Sequence, residues 1–271
     1  HLIALRITDS YPLFQTDGEL NTARVHAGVE NPKTMTRITL FKRKQTTPER
    51  LTGRELLRRY GFLSGDEAER NKTLGSDGRP ICDYNVQFCT TCPDCIAYGF
   101  AIGDSGSEKS KVITDTAYSL TSYDHSHEAF TLNAPYEDGT MTRHGEVTSR
   151  FNEQDHVQPQ VIFPTVITAR DLTQPLFLYV LNNVLRTHRY GAQTTRTGRM
   201  RNRLVAVALT DGEIFSNLLF TQRLYDRLLQ ADALHPPDPV DPDLVYQEAQ
   251  SLVPSLLESD GVVVDQLLTG D

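Results

Sequence analysis

All four cysteines of this chain, Cys82, Cys89, Cys92 and Cys95, fall within fourteen residues in the spacing C-x6-C-x2-C-x2-C. A thiolate inside a folded protein needs a cation or a bonding partner, and each C-x2-C step can deliver two sulfurs to one tetrahedral centre. The spacing therefore predicts a metal centre, with zinc as the leading candidate. Cys89, Cys92 and Cys95 also carry the C-x2-C-x2-C step of bacterial iron–sulfur proteins. Disulfides are the third possibility, although no other feature points to an oxidising compartment. Four thiolates leave no open coordination position, so the expected role is structural. The surrounding segment, Glu67 to Ser110, is polar and interrupted by Gly and Pro, and reads as an insertion that metal binding folds.

A net charge of −8 argues at first sight against a nucleic-acid partner. The average conceals a bipolar distribution. Residues 1–60 hold 11 Lys and Arg against 6 Asp and Glu, and residues 161–230 hold 9 against 4. Residues 61–160 hold 7 against 16, and residues 231–271 hold no Lys or Arg against 9 acids. Such a molecule can grip phosphate on one surface and meet a basic neighbour on another. No apolar run approaches the roughly 18 residues that a membrane-spanning helix requires. His1 to Ser10 reads as an alternating strand rather than a signal peptide, so a soluble protein is expected.

Along the chain, Leu2–Ile7 reads as a strand and Thr36–Gln45 as a second, ending in Lys42, Arg43 and Lys44, with a loop from Gln15 to Thr34 between them. A short helix should follow, with Thr52 and Glu55 as a capping box, Leu51 and Leu56 as a hydrophobic staple and Gly61 as its stop. Arg54 and Arg58, four apart, share one side of it. Residues 117–160 contain short alternating pieces around Asp138-Gly139, a hairpin signal. Val161–Thr168 returns to a core-like strand, and a helix from Gln174 to His188 carries Leu176, Phe177, Val180, Leu181, Val184 and Leu185 as one stripe. Leu204–Thr210 should form another strand and Glu213–Leu229 another amphipathic helix. Beyond Asp232 the run HPPDPVDPD reads as a linker, since its prolines cannot continue a helix, and the rest as an acidic tail. The element order predicts an α+β core of the split βαβ type, RRM-like or ferredoxin-like.

Two basic islands are the other chemical signal. One contains Lys42, Arg43, Lys44, Arg54 and Arg58; the other contains Arg186, Arg189, Arg196, Arg199, Arg201 and Arg203. The second is rich in Gly and Thr and has no acid between Asp171 and Asp211. Backbone N–H groups, hydroxyls and guanidiniums together are the groups that hold a phosphate backbone, and counterion release rewards such clusters. His125 and His127 read as a solvated hairpin pair. No Walker A, HExxH, GxSxG or GxGxxG sequence is present, and Asp17 with Glu19 reads as a solvated turn.

The strand, loop, basic strand and helix of the first island, the cysteine-bearing insertion, the later hairpin and the segment HRYGAQTTRTGRMRNRLVAVAL (His188–Leu209) together resemble the backbone subunit of a type I-D CRISPR effector complex, of the RAMP superfamily. The resemblance implies a modified RRM palm (1–66 and 161–230), a zinc-bearing insertion (67–116), a projecting β-hairpin thumb (117–160) and an acidic tail (231–271). It implies copies of the chain stacked head to tail along a CRISPR RNA in a cytoplasmic, Cascade-like antiviral complex. The partners would be target DNA or RNA and other effector subunits, with no membrane. Guide contacts carry over to Arg24, Lys42, Lys44, Arg54, Arg58, Arg196, Arg199, Arg201 and Arg203, and a base-displacing thumb wedge to Phe130, Met141 or Phe151. Related subunits cut target RNA with an Asp in the loop after the first strand, where Asp17 stands. A single carboxylate without a second acid predicts no catalysis. The alternatives are a metal-dependent endoribonuclease acting through Asp17 and a zinc-bearing scaffold that binds only protein.

Overall fold

Strand β1 (Leu2–Thr8) sets the layers of the molecule, because it is buried along its whole length. Side chains alternate between the two faces of a strand, so a strand buried throughout must be covered on both. Ile3, Leu5 and Ile7 enter one apolar cluster and Leu2 enters another. The computed structural model describes residues 1–15, 19–69, 71–103, 106–131, 136–137, 139–140, 142–143, 146–147, 153–191, 193 and 195–262. In chain order the other elements are β2 (Thr22–His26), β3 (Thr34–Leu40), α1 (Lys42–Arg59), α2 (Pro93–Tyr98), β4 (Phe100–Ala101), β5 (Ser107–Glu108), β6 (Val112–Thr114), β7 (Ala117–Tyr118), β8 (His127–Thr131), β9 (Thr142–Arg143), β10 (Glu146–Val147), β11 (Glu153–Val157), β12 (Ile162–Ala169), α3 (Gln174–Arg186), β13 (Met200–Val207), α4 (Asn217–Gln230) and α5 (Pro242–Ser259).

The central sheet has the order β13-β1-β12-β6, with every neighbouring pair antiparallel. Helices α1 and α3 pack together over one face, where Leu2, Ile167, Val180 and Val184 meet. Helices α4 and α5 cover the other, where Phe220, Leu224, Val245, Ala249, Leu252 and Val253 close over β1. The chain is thus a mixed α+β fold built on antiparallel sheets. Among the described residues no helix is long and apolar enough to cross a membrane.

Several expectations change. The strand expected over Thr36–Gln45 ends at Leu40, and Lys42, Arg43 and Lys44 form the first turn of α1 instead. The helix begins at Lys42 without a side-chain cap, so Thr52 and Glu55 lie in its interior rather than at its start. Gly61, with φ +75, does follow its end. The expected loop from Gln15 to Thr34 contains β2, which pairs with β3 from Thr22↔Ile38 to His26↔Thr34. The expected acidic tail contains α5, which is an integral layer: Asp241 caps it by accepting from the Asp243 N–H, and Val245, Ala249, Leu252, Val253, Leu256 and Leu257 are buried. The 117–160 region does contain an antiparallel pair, β8 with β11, in register from Thr131↔Glu153 to His127↔Val157.

Helix α1 was hard to foresee because its buried face is charged, comprising Lys44, Gln45, Glu49, Arg50 and Arg54. Glu49 forms an ion pair with Arg6 of β1 at 2.8 Å, and neither side chain is exposed. Arg6 also donates to the Tyr190 hydroxyl at 2.6 Å and to Asn202 Oδ1 at 2.9 Å, and Tyr190 donates to Glu49 at 3.1 Å. Pro48 lies inside the helix and has no N–H for the Lys44 carbonyl four residues earlier. The Gly191 N–H supplies that bond at 3.3 Å.

Removing one member of a buried ion pair leaves the other uncompensated, at a cost of about 3–5 kcal/mol. Glu49→Ala is therefore expected to lower unfolding stability by about that amount, read from the urea midpoint at unchanged slope. A change below about 0.5 kcal/mol, the range of ordinary surface substitutions, would contradict the role given to this pair.

Candidate metal centre and nucleic-acid interface

The four cysteines converge. Cys82 lies between two short backbone bridges, Leu74↔Pro80 and Asp83↔Gln87, Cys92 caps the start of α2 and Cys95 lies within it. Their four sulfurs lie within 4.8 Å of one another, with Cys82 Sγ 3.8 Å from Cys92 Sγ and 3.5 Å from Cys95 Sγ. None of the four is joined in a disulfide. A tetrahedral ion with metal–sulfur bonds of about 2.3 Å separates its sulfurs by about 3.8 Å, so the group can hold one metal ion.

The surroundings supply what such a site needs. Backbone N–H groups of Cys89 and Cys92 point at Cys82 Sγ (3.4 Å) and Cys89 Sγ (3.3 Å). Arg54 of α1 donates to Cys82 Sγ at 3.0 Å and to the Cys82 carbonyl at 2.9 Å, and pairs with Asp94 at 2.6 Å. Arg50 donates to Asp94 and to the Gly99 carbonyl, each at 2.8 Å. Desolvation opposes the Arg54 charge, but Asp94 and the Cys82 sulfur outweigh it and hold this guanidinium above the usual arginine value. Two buried arginines against one aspartate leave a net positive charge in the cysteine lobe, with Arg54 against Cys82 Sγ, which would offset part of the negative charge of four metal-bound thiolates.

This geometry corrects part of the expected RNA-contact set. Arg54 is wholly buried in the cysteine lobe. Lys44 is also buried and donates to the Phe14 carbonyl. Neither side chain is available to a phosphate. Arg58, partly exposed, pairs with Asp83 at 2.9 Å and donates to the Cys82 carbonyl at 3.2 Å. These three cations anchor α1 to its neighbours. Asp94 and Glu49, which hold the same helix, escaped the sequence reading. An acid between Cys92 and Cys95, facing arginines spaced four apart on a helix, was the available signal for Asp94.

The remaining cations stay at the surface. Lys42 and the neighbouring Arg43 are exposed at the first turn of α1, and Arg196, Arg199 and Arg201 are exposed around the Gly-rich segment. That segment lies along the exit of β1. Gly198 N–H donates to the Tyr11 carbonyl at 2.9 Å, Arg199 N–H to Ser10 Oγ at 2.7 Å, and Leu13 N–H to Thr197 Oγ1 at 2.9 Å. Gly191 bridges Leu13 with φ +101, and a Cβ there would stand 2.1 Å from the Leu13 carbonyl oxygen. Its bond to Lys44 ties the segment to the start of α1. Arg199 pairs with Asp9 at 3.5 Å and Arg201 pairs with the same carboxylate.

Arg203 is directed elsewhere: it lies 3.6 Å over the Tyr246 ring and pairs with Asp243, both on α5. Arg24 is exposed on β2, within 3.3 Å of Thr34 Oγ1, and not in a loop. Phe130 packs against Tyr11 and His156. Met141, Phe151 and Asp17 lie outside the described residues.

No curated protein matches the chain in sequence. The Csc2 crystal structure from Thermofilum pendens is similar in fold, with a TM-score of 0.56 at 15% identity over 100% of this chain and 90% of that one. A chain of a CRISPR RNA-guided surveillance complex gives 0.57 at 13% identity, covering 96% of this chain and 85% of that one. A chain of such a complex in a pre-nicking state gives 0.57 at 13%, covering 96% and 88%. A family model described as Csc2 CRISPR matches residues 1–271. The chain therefore belongs to the Csc2 CRISPR family.

Proposed function

We propose that the chain is the guide-RNA-binding backbone subunit of a type I-D, Cascade-like effector complex, acting in the cytoplasm with further copies of itself and with other effector subunits. The observation that carries this reading is the Gly-rich segment laid along the exit of β1, with Arg196, Arg199 and Arg201 exposed, and tied through Gly191 to the start of α1, where Lys42 and Arg43 are exposed. Family membership and the fold-level likeness to chains of RNA-guided surveillance complexes support it. The role is structural rather than catalytic: the cations position an RNA backbone so that bases remain free to pair with target DNA or RNA.

The palm is RRM-like in this reading. With β1, β6, β12 and β13 as the four palm strands and α1 and α3 as the two crossovers, the sheet order β13-β1-β12-β6 corresponds to the split βαβ plan. An RRM reads RNA on its open sheet face, and here α4 and α5 cover that face. RNA must therefore be held by loops and strand ends. The palm comprises 1–66 and 161–230, completed by β6 from the end of segment 67–116 and extended by α5; the remainder of 67–116 is the metal-bearing insertion and 117–160 the thumb.

Cys82, Cys89, Cys92 and Cys95 would hold a single zinc ion with a structural role. Two sulfur separations of 3.5 and 3.8 Å suit one tetrahedral ion, and Arg54 is the outer partner that offsets its thiolate charge. Purified protein is expected to contain about one zinc per chain and no visible absorption band. Cys92→Ser should loosen the insertion while leaving the central sheet folded. Iron with a brown colour would overturn the zinc assignment.

If the Gly-rich segment grips the RNA backbone, Arg199→Ala with Arg201→Ala should weaken binding equally for all RNA sequences. The slope of log affinity against log salt should become shallower by up to about two phosphate contacts. An unchanged slope would mean that these arginines serve only Asp9.

A further inference from the structure

Tyr11 is half exposed, at 37%, yet it is fixed on several sides. Its carbonyl accepts from the Gly198 N–H at 2.9 Å, and its ring stands edge-on to Phe130 with centroids 5.0 Å apart. Phe130 is in turn held edge-on by His156 at 5.2 Å. The approach to the basic segment depends on Gly198, where a Cβ would come within 2.4 Å of the Tyr11 carbonyl carbon. Arg199, the next residue, bonds Ser10 on the other side of the same contact. An anchored aromatic ring thus stands against Phe130 of the β8–β11 pair, and its residue bonds the neighbour of Arg199, a cation of the candidate phosphate surface.

We infer that Tyr11, backed by Phe130, is a stacking surface for one unpaired base of the RNA held by Arg196 and Arg199. The inference rests on the RNA-binding reading above. Every base offers a π face, so an aromatic platform beside a cationic track binds single strands without reading their sequence. Because its backbone and ring are already held, Tyr11 loses little freedom when a base arrives. Phe130 then acts from beneath, as the support of the platform.

The experiment measures single-stranded RNA binding by fluorescence anisotropy across a salt series for the wild-type chain, Tyr11→Phe and Tyr11→Leu. Stacking predicts about tenfold or greater weakening in Tyr11→Leu, an unchanged salt slope, and near wild-type affinity in Tyr11→Phe. Wild-type affinity in Tyr11→Leu, or equal loss in both variants, would overturn the platform alone. No RNA binding by the wild-type chain would overturn the RNA-binding reading as well. Tyr11→Trp gives an independent readout, because the chain contains no tryptophan. Its emission should be strongly quenched by saturating RNA and left unchanged by inorganic polyphosphate, whereas emission indifferent to bound RNA would contradict stacking.

Discussion

The ionic face of α1 is the constraint on which the rest of the molecule depends. Glu49 and Arg54 have no access to water, and a buried charge without a partner costs several kcal/mol. Each can be satisfied in one place only. Glu49 must meet Arg6 of the central strand, and Arg54, with Arg50, must meet Asp94 in the cysteine lobe. The helix is thereby fixed to the sheet on one side and to the candidate metal centre on the other. Pro48 adds a third tie, since the Lys44 carbonyl it leaves free accepts from Gly191 of the basic segment. One helix therefore joins the cysteine lobe, the sheet and the proposed RNA-contact segment through groups whose separation is energetically costly.

This arrangement divides cations that look alike in sequence into two kinds. Lys44, Arg50 and Arg54 are structural, while Lys42, Arg43, Arg196, Arg199 and Arg201 stay at the surface. Arg196, Arg199 and Arg201 are carried to the end of β1, because Thr197, Gly198 and Arg199 are bonded to residues 10–13. Local density, rather than the net charge of −8, decides whether such a surface can hold phosphate. Asp9, which pairs with both Arg199 and Arg201, keeps the two guanidiniums side by side in the absence of an anion.

The cysteine centre was legible because its signal is local: four sulfurs in fourteen residues have few ways to be arranged. Helices α3 and α4 were legible from apolar stripes whose centres face the core, as Val180, Val184, Phe220 and Leu224 show, whereas Leu185 at the end of the α3 stripe is exposed. Helix α1 was misplaced because a stripe of ion pairs has no apolar periodicity, and Arg54 was assigned to RNA because a four-residue spacing gives a face without saying whether that face is inward. Helix α5 carried a readable period at Val245, Ala249, Leu252, Val253 and Leu256, hidden by prolines and an acidic composition. β2 escaped because its alternation, Ala23 and Val25 between exposed Thr22, Arg24 and His26, spans only five residues inside a segment rich in Gly, Asn and Asp.

The central claim is that this chain is a repeating element on an RNA. Identical subunits in such a row need a head-to-tail contact between two different surfaces, and the separation of basic from acidic segments offers complementary ones. The most direct test is light scattering of the purified protein mixed with single-stranded RNAs of increasing length. The account predicts a mass that rises stepwise with RNA length and falls as added salt screens exposed charge pairs over about 8–10 Å. A fixed dimer, indifferent to the length of RNA supplied, would contradict it.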